Sequence, residues 1–274
     1  MEELKEAQQR LIEKRKQQAQ EVTAGLTELT YDYPWLDRSK IKFRKCGCGR
    51  DLDEVVGGEP YCSVCSKETR EKIREKQRRE EIERRVCEVK KDVFGSMEKA
   101  GVSPHYTKCS FDNFQKTGTN EKYLRFCQKY VEDPVRNLFF SGTCGSGKTH
   151  LVAAIVRELL LKGKKVKFIS VPDLLLQIRK TFNGKSELSD IDYIERYGRY
   201  EYVVLDDFGA EKTTDWARMI LYMIVDMRIR SVRPTIVTSN LSLEQIEEDV
   251  DARLASRLGG FQVIIFACED WRKR

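Results

Sequence analysis

The 274-residue sequence holds no apolar run near the roughly 20 residues that cross a bilayer, the longest late run being Phe261 to Ala267. This excludes a membrane-spanning helix. An apolar leader is also missing, because MEELKEAQQR is charged from its second residue, unlike a secretory signal. Both absences point to the cytoplasm. There is no large excess of either charge: 50 Lys and Arg against 44 Asp and Glu leave +6, which permits nucleic-acid contact without arguing for it. No internal repeat or low-complexity tract is present, which excludes a solenoid. The length admits one large domain or two smaller ones.

Cysteine is plentiful. Nine cysteines without a leader do not read as a disulfide framework. Cys46-x-Cys48 and Cys62-x-x-Cys65, 13 residues apart, approach the spacing of a zinc ribbon, the first pair being one residue tighter than usual. Four thiolates around one Zn²⁺ would fold a Gly-rich, turn-prone segment whose apolar content is too small to fold alone. Free thiols or a redox pair are the alternatives. His105 and His150 are remote and do not compete as ligands. Cys87, Cys109, Cys127, Cys144 and Cys268 read as small buried residues, with Cys144 occupying a free position of a Gly-rich loop.

The texture changes along the chain. Residues 1–30 read as a polar helix ended by Tyr31, Tyr33, Pro34 and Trp35, and residues 66–94 as a second charged helix with a stripe of Ile82, Val86, Val89 and Val93. The second helix is either solvated or a partner-binding helix. A boundary is expected between Gly95 and Ser103, dividing the chain into residues 1–100 and 101–274. Beyond it, β-rich runs alternate with helices: 137–141, 166–170, 202–206, 235–239 and 262–267, with helices over 150–161, 171–182, 216–231 and 243–248. This predicts an α/β domain whose parallel strands are covered on both faces.

Directly after the first strand stands Gly142-Thr143-Cys144-Gly145-Ser146-Gly147-Lys148-Thr149, followed by His150. The glycines let backbone N–H groups curl around phosphate oxygens, Lys148 supplies charge to the β and γ phosphates, and Thr149 offers a hydroxyl to Mg²⁺. The helix beginning here adds its positive end. The strand YVVLDD ends in two acids where open α/β sheets bind ligands. Asp206 is the economical Mg²⁺-associated residue, and Asp207 is placed to polarise an attacking water. Asn240, after TIVTS, reads either as a γ-phosphate contact or as a turn residue. Arg253 and Arg257 share a helical face; such arginines are ordinarily salt-bridged, but between P-loop subunits one can reach the neighbour's nucleotide.

Residues 142–151, YVVLDDFG, TSN and RLASRLGG, with VSPHYTKCSFDNF ahead of the first strand, together resemble the DnaC/IstB-type AAA+ ATPases over about residues 101–274. The resemblance implies a five-stranded sheet of order 5-1-4-3-2. It also implies Walker A at Lys148 and Thr149, Walker B at Asp206 and Asp207, a sensor at Asn240, and Arg257 as a trans-acting arginine finger, with Arg253 as the alternative. Two departures are visible. The second Walker B acid is Asp where most AAA+ enzymes carry Glu, so slow hydrolysis is expected, and little sequence follows the fifth strand to build a helical lid.

An N-terminal zinc module on this ATPase is similar to the DnaI-type helicase loaders. That likeness implies ATP, Mg²⁺ and Zn²⁺ as cofactors, a hexameric replicative DNA helicase as partner of the N-terminal part, self-assembly through the ATPase domains, and single-stranded DNA as ligand. For the DNA, Arg179, Lys180, Phe182, Lys185, Arg196 and Arg199 mix basic and aromatic side chains, a pattern that also fits an ordinary amphipathic helix. A transposition helper of the IstB kind and a nucleotide-gated adaptor that barely hydrolyses are the competing expectations.

Overall fold

The computed structural model describes residues 48, 50, 54–56, 59–180, 189–210 and 214–267. The chain divides into two compact units, Met1–Glu81 and Ile82–Arg274. The helix expected over residues 1–30, Cys46, Cys268, Phe182 and Lys185 lie outside the described residues.

In the first unit a small hairpin pairs β1 (Glu54–Val56) with β2 (Glu59–Tyr61) in antiparallel register. It leads into α1 (Ser63–Lys91), a 29-residue helix that continues into the second unit. Its exposed face is laced with i,i+4 pairs such as Arg79–Glu75 at 3.1 Å, each worth a few tenths of a kcal/mol. Once past Ile82 the expected stripe packs: Val89 is buried, while Ile82 and Val86 lie against Gly163, where an added Cβ would come within about 3 Å of both. The expected boundary at Gly95–Ser103 falls inside the second unit. The physical reason is α2 (Val93–Ala100), whose Met97 and Ala100 join the core beside Val102. Sequence contrast located the change from charged helix to α/β texture, but packing begins earlier.

The second unit continues with α3 (Glu121–Tyr130), β3 (Leu138–Gly142), α4 (Lys148–Leu161), β4 (Val166–Ser170), α5 (Val171–Arg179) and α6 (Asp190–Arg199). It ends with β5 (Tyr202–Phe208), α7 (Asp215–Arg230), β6 (Thr235–Ser239), α8 (Leu243–Asp249), α9 (Ala252–Gly259) and β7 (Gln262–Phe266). All pairings in the five-stranded sheet are parallel, in the order β4-β5-β6-β3-β7. Read from β7 this is the expected 5-1-4-3-2.

Strand alternation sends Leu138 and Phe140 to one face with Leu151, Ile155 and Phe266, and Phe139 to the other with Leu174, Leu205, Ile224 and Leu254. β3 therefore sits between two cores. β7 departs from the expectation of two covered faces. Among the described residues it pairs only with β3, and Val263 and Ile265 are exposed while Ile264 and Phe266 are buried, as befits an edge strand.

A buried guanidinium braces the far end of the sheet. Arg228 donates from Nη1 to the carbonyls of Tyr197 and Tyr200, from Nη2 to that of Pro234, and from Nε to Thr235 Oγ1, all at 2.7–2.9 Å. Its charge faces the carbonyl-rich end of α6, and burial lowers its pKa to about 9.

Candidate nucleotide site

The loop after β3 owes its shape to its glycines. Gly145 and Gly147 have φ of 73° and 93°, and a Cβ on Gly147 would sit 3.1 Å from the Phe114 ring. The segment ahead of β3 is thereby laid against the loop. His150 Nε2–H donates to the Ser110 carbonyl at 3.0 Å, and its ring meets Phe114 edge-on. Burial lowers the His150 pKa, against the opposing pull of the Ser110 carbonyl.

A cavity of about 400 Å³ opens over the loop, lined by Cys144 through His150, Asp207 and Asn240 together with His105, Tyr106 and Ala210. Lys148 Nζ spans it, donating to the carbonyls of Gly142 (2.7 Å) and Thr143 (2.9 Å) and to Asn240 Oδ1 (3.0 Å). Cys144 through His150 and Asn240 thus meet at one place, whereas Gly142 and Thr143 do not line the cavity and contribute their carbonyls to Lys148. Asp206 lies beneath, 5% exposed, with Oδ1 accepting from Thr149 Oγ1 at 3.2 Å and Thr238 Oγ1 at 2.5 Å. Burial raises its pKa to about 6; the two hydroxyls and Lys148 pull the other way, while Asp207 adds to the rise.

The two adjacent acids are sent to different surroundings by a break in the β5–β6 register between Leu205 and Phe208. Asp207 there takes φ of 55°, a left-handed conformation, and is exposed to the cavity. Its N–H donates to Thr238 Oγ1 at 3.1 Å, so one hydroxyl fixes both acids. Thr238, His105 and Tyr106 were not singled out as site residues by the sequence. The last two lie in the VSPHYTKCSFDNF stretch, and Thr238 could have been read from strand periodicity, as the neighbour facing the acids.

A carboxylate this buried with none of its described hydrogen bonds on Oδ2 fits a cation, and Lys148 with the Gly-rich loop lining the cavity fits a triphosphate. Arg253 and Arg257 do not line the cavity. In the segment expected to meet DNA, Arg179 sits over Trp216, Arg199 pairs with Glu195, and Arg196 bonds Tyr200. Tyr197 is buried and is not available for base stacking.

In the first unit, the Sγ atoms of Cys48, Cys62 and Cys65 lie within 4.8 Å of one another, with Cys48 and Cys62 at 3.5 Å. Tetrahedral Zn–S bonds of about 2.3 Å would space sulfurs about 3.8 Å apart, so the three fit one Zn²⁺. Cys65 N–H donates to Cys62 Sγ at 3.5 Å, as suits a thiolate. Of the remaining cysteines, Cys109 and Cys127 are buried, and burial pushes the Cys109 thiol up to about 11. Cys144 and Cys87 are exposed. For both this corrects the expectation of burial: Cys87 lies off the Ile82–Val86–Val89 stripe of α1, and Cys144 sits in the loop where it lines the open cavity.

The fold and loop define an AAA+ P-loop protein. Residues 70–259 match the family described as IstB-like ATP binding protein, and the chain belongs to that family. It is similar to the replicative helicase loader DnaC of Escherichia coli strain K12, 31% identical over 182 residues, covering 64% of this chain and 74% of the relative. Among solved structures, a DnaI crystal structure superposes with a TM-score of 0.53 at 21% identity over 62% of this chain and 94% of that one. AMPPCP-bound DnaA from Aquifex aeolicus does so at 0.54 and 20% identity over 63% of this chain and 53% of that one. The chain therefore spans about half the length of that DnaA structure. Among the described residues no helix is long and apolar enough to cross a membrane.

Proposed function

We propose that this protein is a cytoplasmic, ATP-dependent loader of a hexameric replicative DNA helicase. The observation that carries the reading is the convergence of Lys148, Thr149, Asp206, Asp207 and Asn240 at one cavity, in a chain akin to a replicative helicase loader. Lys148 would exchange its loop carbonyls for β- and γ-phosphate oxygens, freeing Asn240 to orient the γ-phosphate or the water. Thr149 and Asp206 would hold Mg²⁺, which when bound offsets phosphate charge. Asp207, exposed beside them, serves as general base. Its reach is one methylene shorter than that of Glu, which supports slow turnover and a timing role for the γ-phosphate. Arg257 would complete a neighbour's site in a self-assembled array, and Arg179, Lys180, Arg196 and Arg199 would contact single-stranded DNA. The cysteine cluster, with Cys46 as fourth ligand, would hold Zn²⁺ in the helicase-binding part.

The test is co-purification with a replicative helicase, with and without ATP. Capture by the whole chain, its loss on deleting residues 1–81, and an ATP response abolished by Lys148→Ala are expected. Absence of helicase capture in every arm refutes the loader reading. Steady-state ATP turnover with and without single-stranded DNA separates a hydrolysing loader from a nucleotide-gated adaptor. A transposition helper, the competing reading, would instead capture a transposase.

A further inference from the structure

Two helices of the second unit present matched i,i+4 rows to each other. From α7 come Tyr222, Asp226 and Arg230; from α9 come Arg253 and Arg257. The Asp226 side chain is 10% exposed and its two oxygens are divided, Oδ1 to Arg257 Nη2 at 2.9 Å and Oδ2 to Arg230 Nη2 at 2.7 Å. Arg257 Nη2 also donates to Tyr222 OH at 3.3 Å, and the Tyr222 ring lies under both guanidinium groups, at 5.2 Å for Arg253 and 5.8 Å for Arg257. Arg253 is separately bound, by Asp251 at 3.1 Å.

Charge and geometry both matter here. One carboxylate between two guanidinium groups leaves the trio with a net charge of +1, so Arg257 is held in place without being neutralised. Its described hydrogen bonds use Nη2 alone and, among the described residues, its Nε is buried without a partner, while the side chain as a whole is 41% exposed, so the Nη1 side of the guanidinium is left for an external anion. Arg253, its partner on the helix, is committed to a local acid. This asymmetry separates two arginines that look equivalent in sequence.

Resting on the reading that Arg257 reaches a neighbouring subunit's nucleotide, we infer that Asp226 and Tyr222 are positioning residues that pre-orient Arg257 for a phosphate on a second copy of this chain. Neither touches nucleotide itself. An arginine aimed in advance loses less side-chain freedom when it meets the developing charge.

The experiment uses full-length Asp226→Asn, Tyr222→Phe and Arg257→Ala, each alone and mixed with Lys148→Ala protein, whose own site is dead but whose Arg257 is intact. DNA-stimulated turnover, nucleotide affinity and melting temperature are read for each. Expected are a fall in kcat of about tenfold for Asp226→Asn and about threefold for Tyr222→Phe, with nucleotide affinity unchanged, and recovery of turnover on mixing with Lys148→Ala. Damage confined to the variant's own site would not be recovered by mixing. If Arg257→Ala loses turnover while Asp226→Asn and Tyr222→Phe keep wild-type kcat, the positioning inference is overturned and the trans-arginine reading stands. If Arg257→Ala itself turns over normally, the trans-arginine reading falls and takes the inference with it. Should Asp226→Asn fail to fold, Tyr222→Phe alone decides between these outcomes.

Discussion

Asp206 carries a charge that the folded protein without metal or nucleotide holds at a cost. Its pKa rises from 3.8 to about 6 because the carboxylate is 5% exposed and sits beside Asp207. Between those pH values the folded state binds a proton that the unfolded chain has released, so stability falls as pH rises through the window from about 4 to 6. Each pKa unit is roughly 1.4 kcal/mol, which makes the penalty about 3 kcal/mol at pH 7. Asp206→Asn removes the charge, and its side-chain oxygen can still accept from Thr149 and Thr238. The variant should therefore be more stable than wild type at pH 7, by up to about 3 kcal/mol or roughly 6–12 °C in melting temperature, and the gap should shrink to about 1 kcal/mol by about pH 4.5 and close toward about pH 3. The assay is denaturation of metal-free, nucleotide-free protein across this range, read as the difference between the two proteins. That difference cancels acids such as Asp192 and Asp251, whose lowered pKa values act in the opposite direction. With Mg²⁺ and ATP present the sign should invert, since the cation stabilises the carboxylate. A gap that stays flat from pH 4.5 to 7, or a variant less stable than wild type at pH 7 without ligands, would refute the reasoning.

Asp207→Ala should keep nucleotide affinity and lose hydrolysis, whereas Lys148→Ala loses both; equilibrium binding of a fluorescent ATP analogue alongside turnover checks the pair. Gly147→Ala forces a side chain into φ of 93° against Phe114 and should cost about 1–3 kcal/mol, seen in urea denaturation, with nucleotide binding weakened. Arg228→Leu strands the carbonyls of Tyr197, Tyr200 and Pro234 and should destabilise the second unit by about 3–5 kcal/mol; a loss below 1 kcal/mol would show that these bonds contribute little. One zinc per chain is expected by elemental analysis, lost on Cys62→Ser or Cys46→Ser, with ATP binding retained in either variant.

The five strands and the phosphate loop were legible because each rests on local pattern: apolar runs of strand length, and a Gly-rich turn between strand and helix. The order of the strands in the sheet came only from the family resemblance, since no local pattern says which strands pair. The packing boundary was not, since α2 is short and its Met97 and Ala100 reveal their burial only against distant partners. Nor was the exposed face of β7, because the run QVIIFA carries no mark of being an edge; that depends on where the chain turns back. Arg228 escaped for a related reason. A charged residue in an amphipathic helix reads as solvated, and only the carbonyls gathered at the end of α6 make its burial tolerable.

The Walker B pair shows how far sequence can go and where geometry takes over. Asp206 and Asp207 are chemically identical neighbours, and in a regular strand they would merely alternate faces. The register break after Leu205 does more, keeping one carboxylate under the sheet edge and swinging the next into the cavity with a left-handed backbone. Thr238 makes the division rigid, giving its proton to one acid and accepting from the amide of the other. Removing that hydroxyl should therefore loosen both acids at once. Thr238→Val preserves shape and should lower turnover more than Asp207→Asn lowers nucleotide affinity, while raising the Asp206 pKa above its present value of about 6. Turnover unaffected by Thr238→Val would mean that the bulge alone, without its hydroxyl, sets the two acids apart.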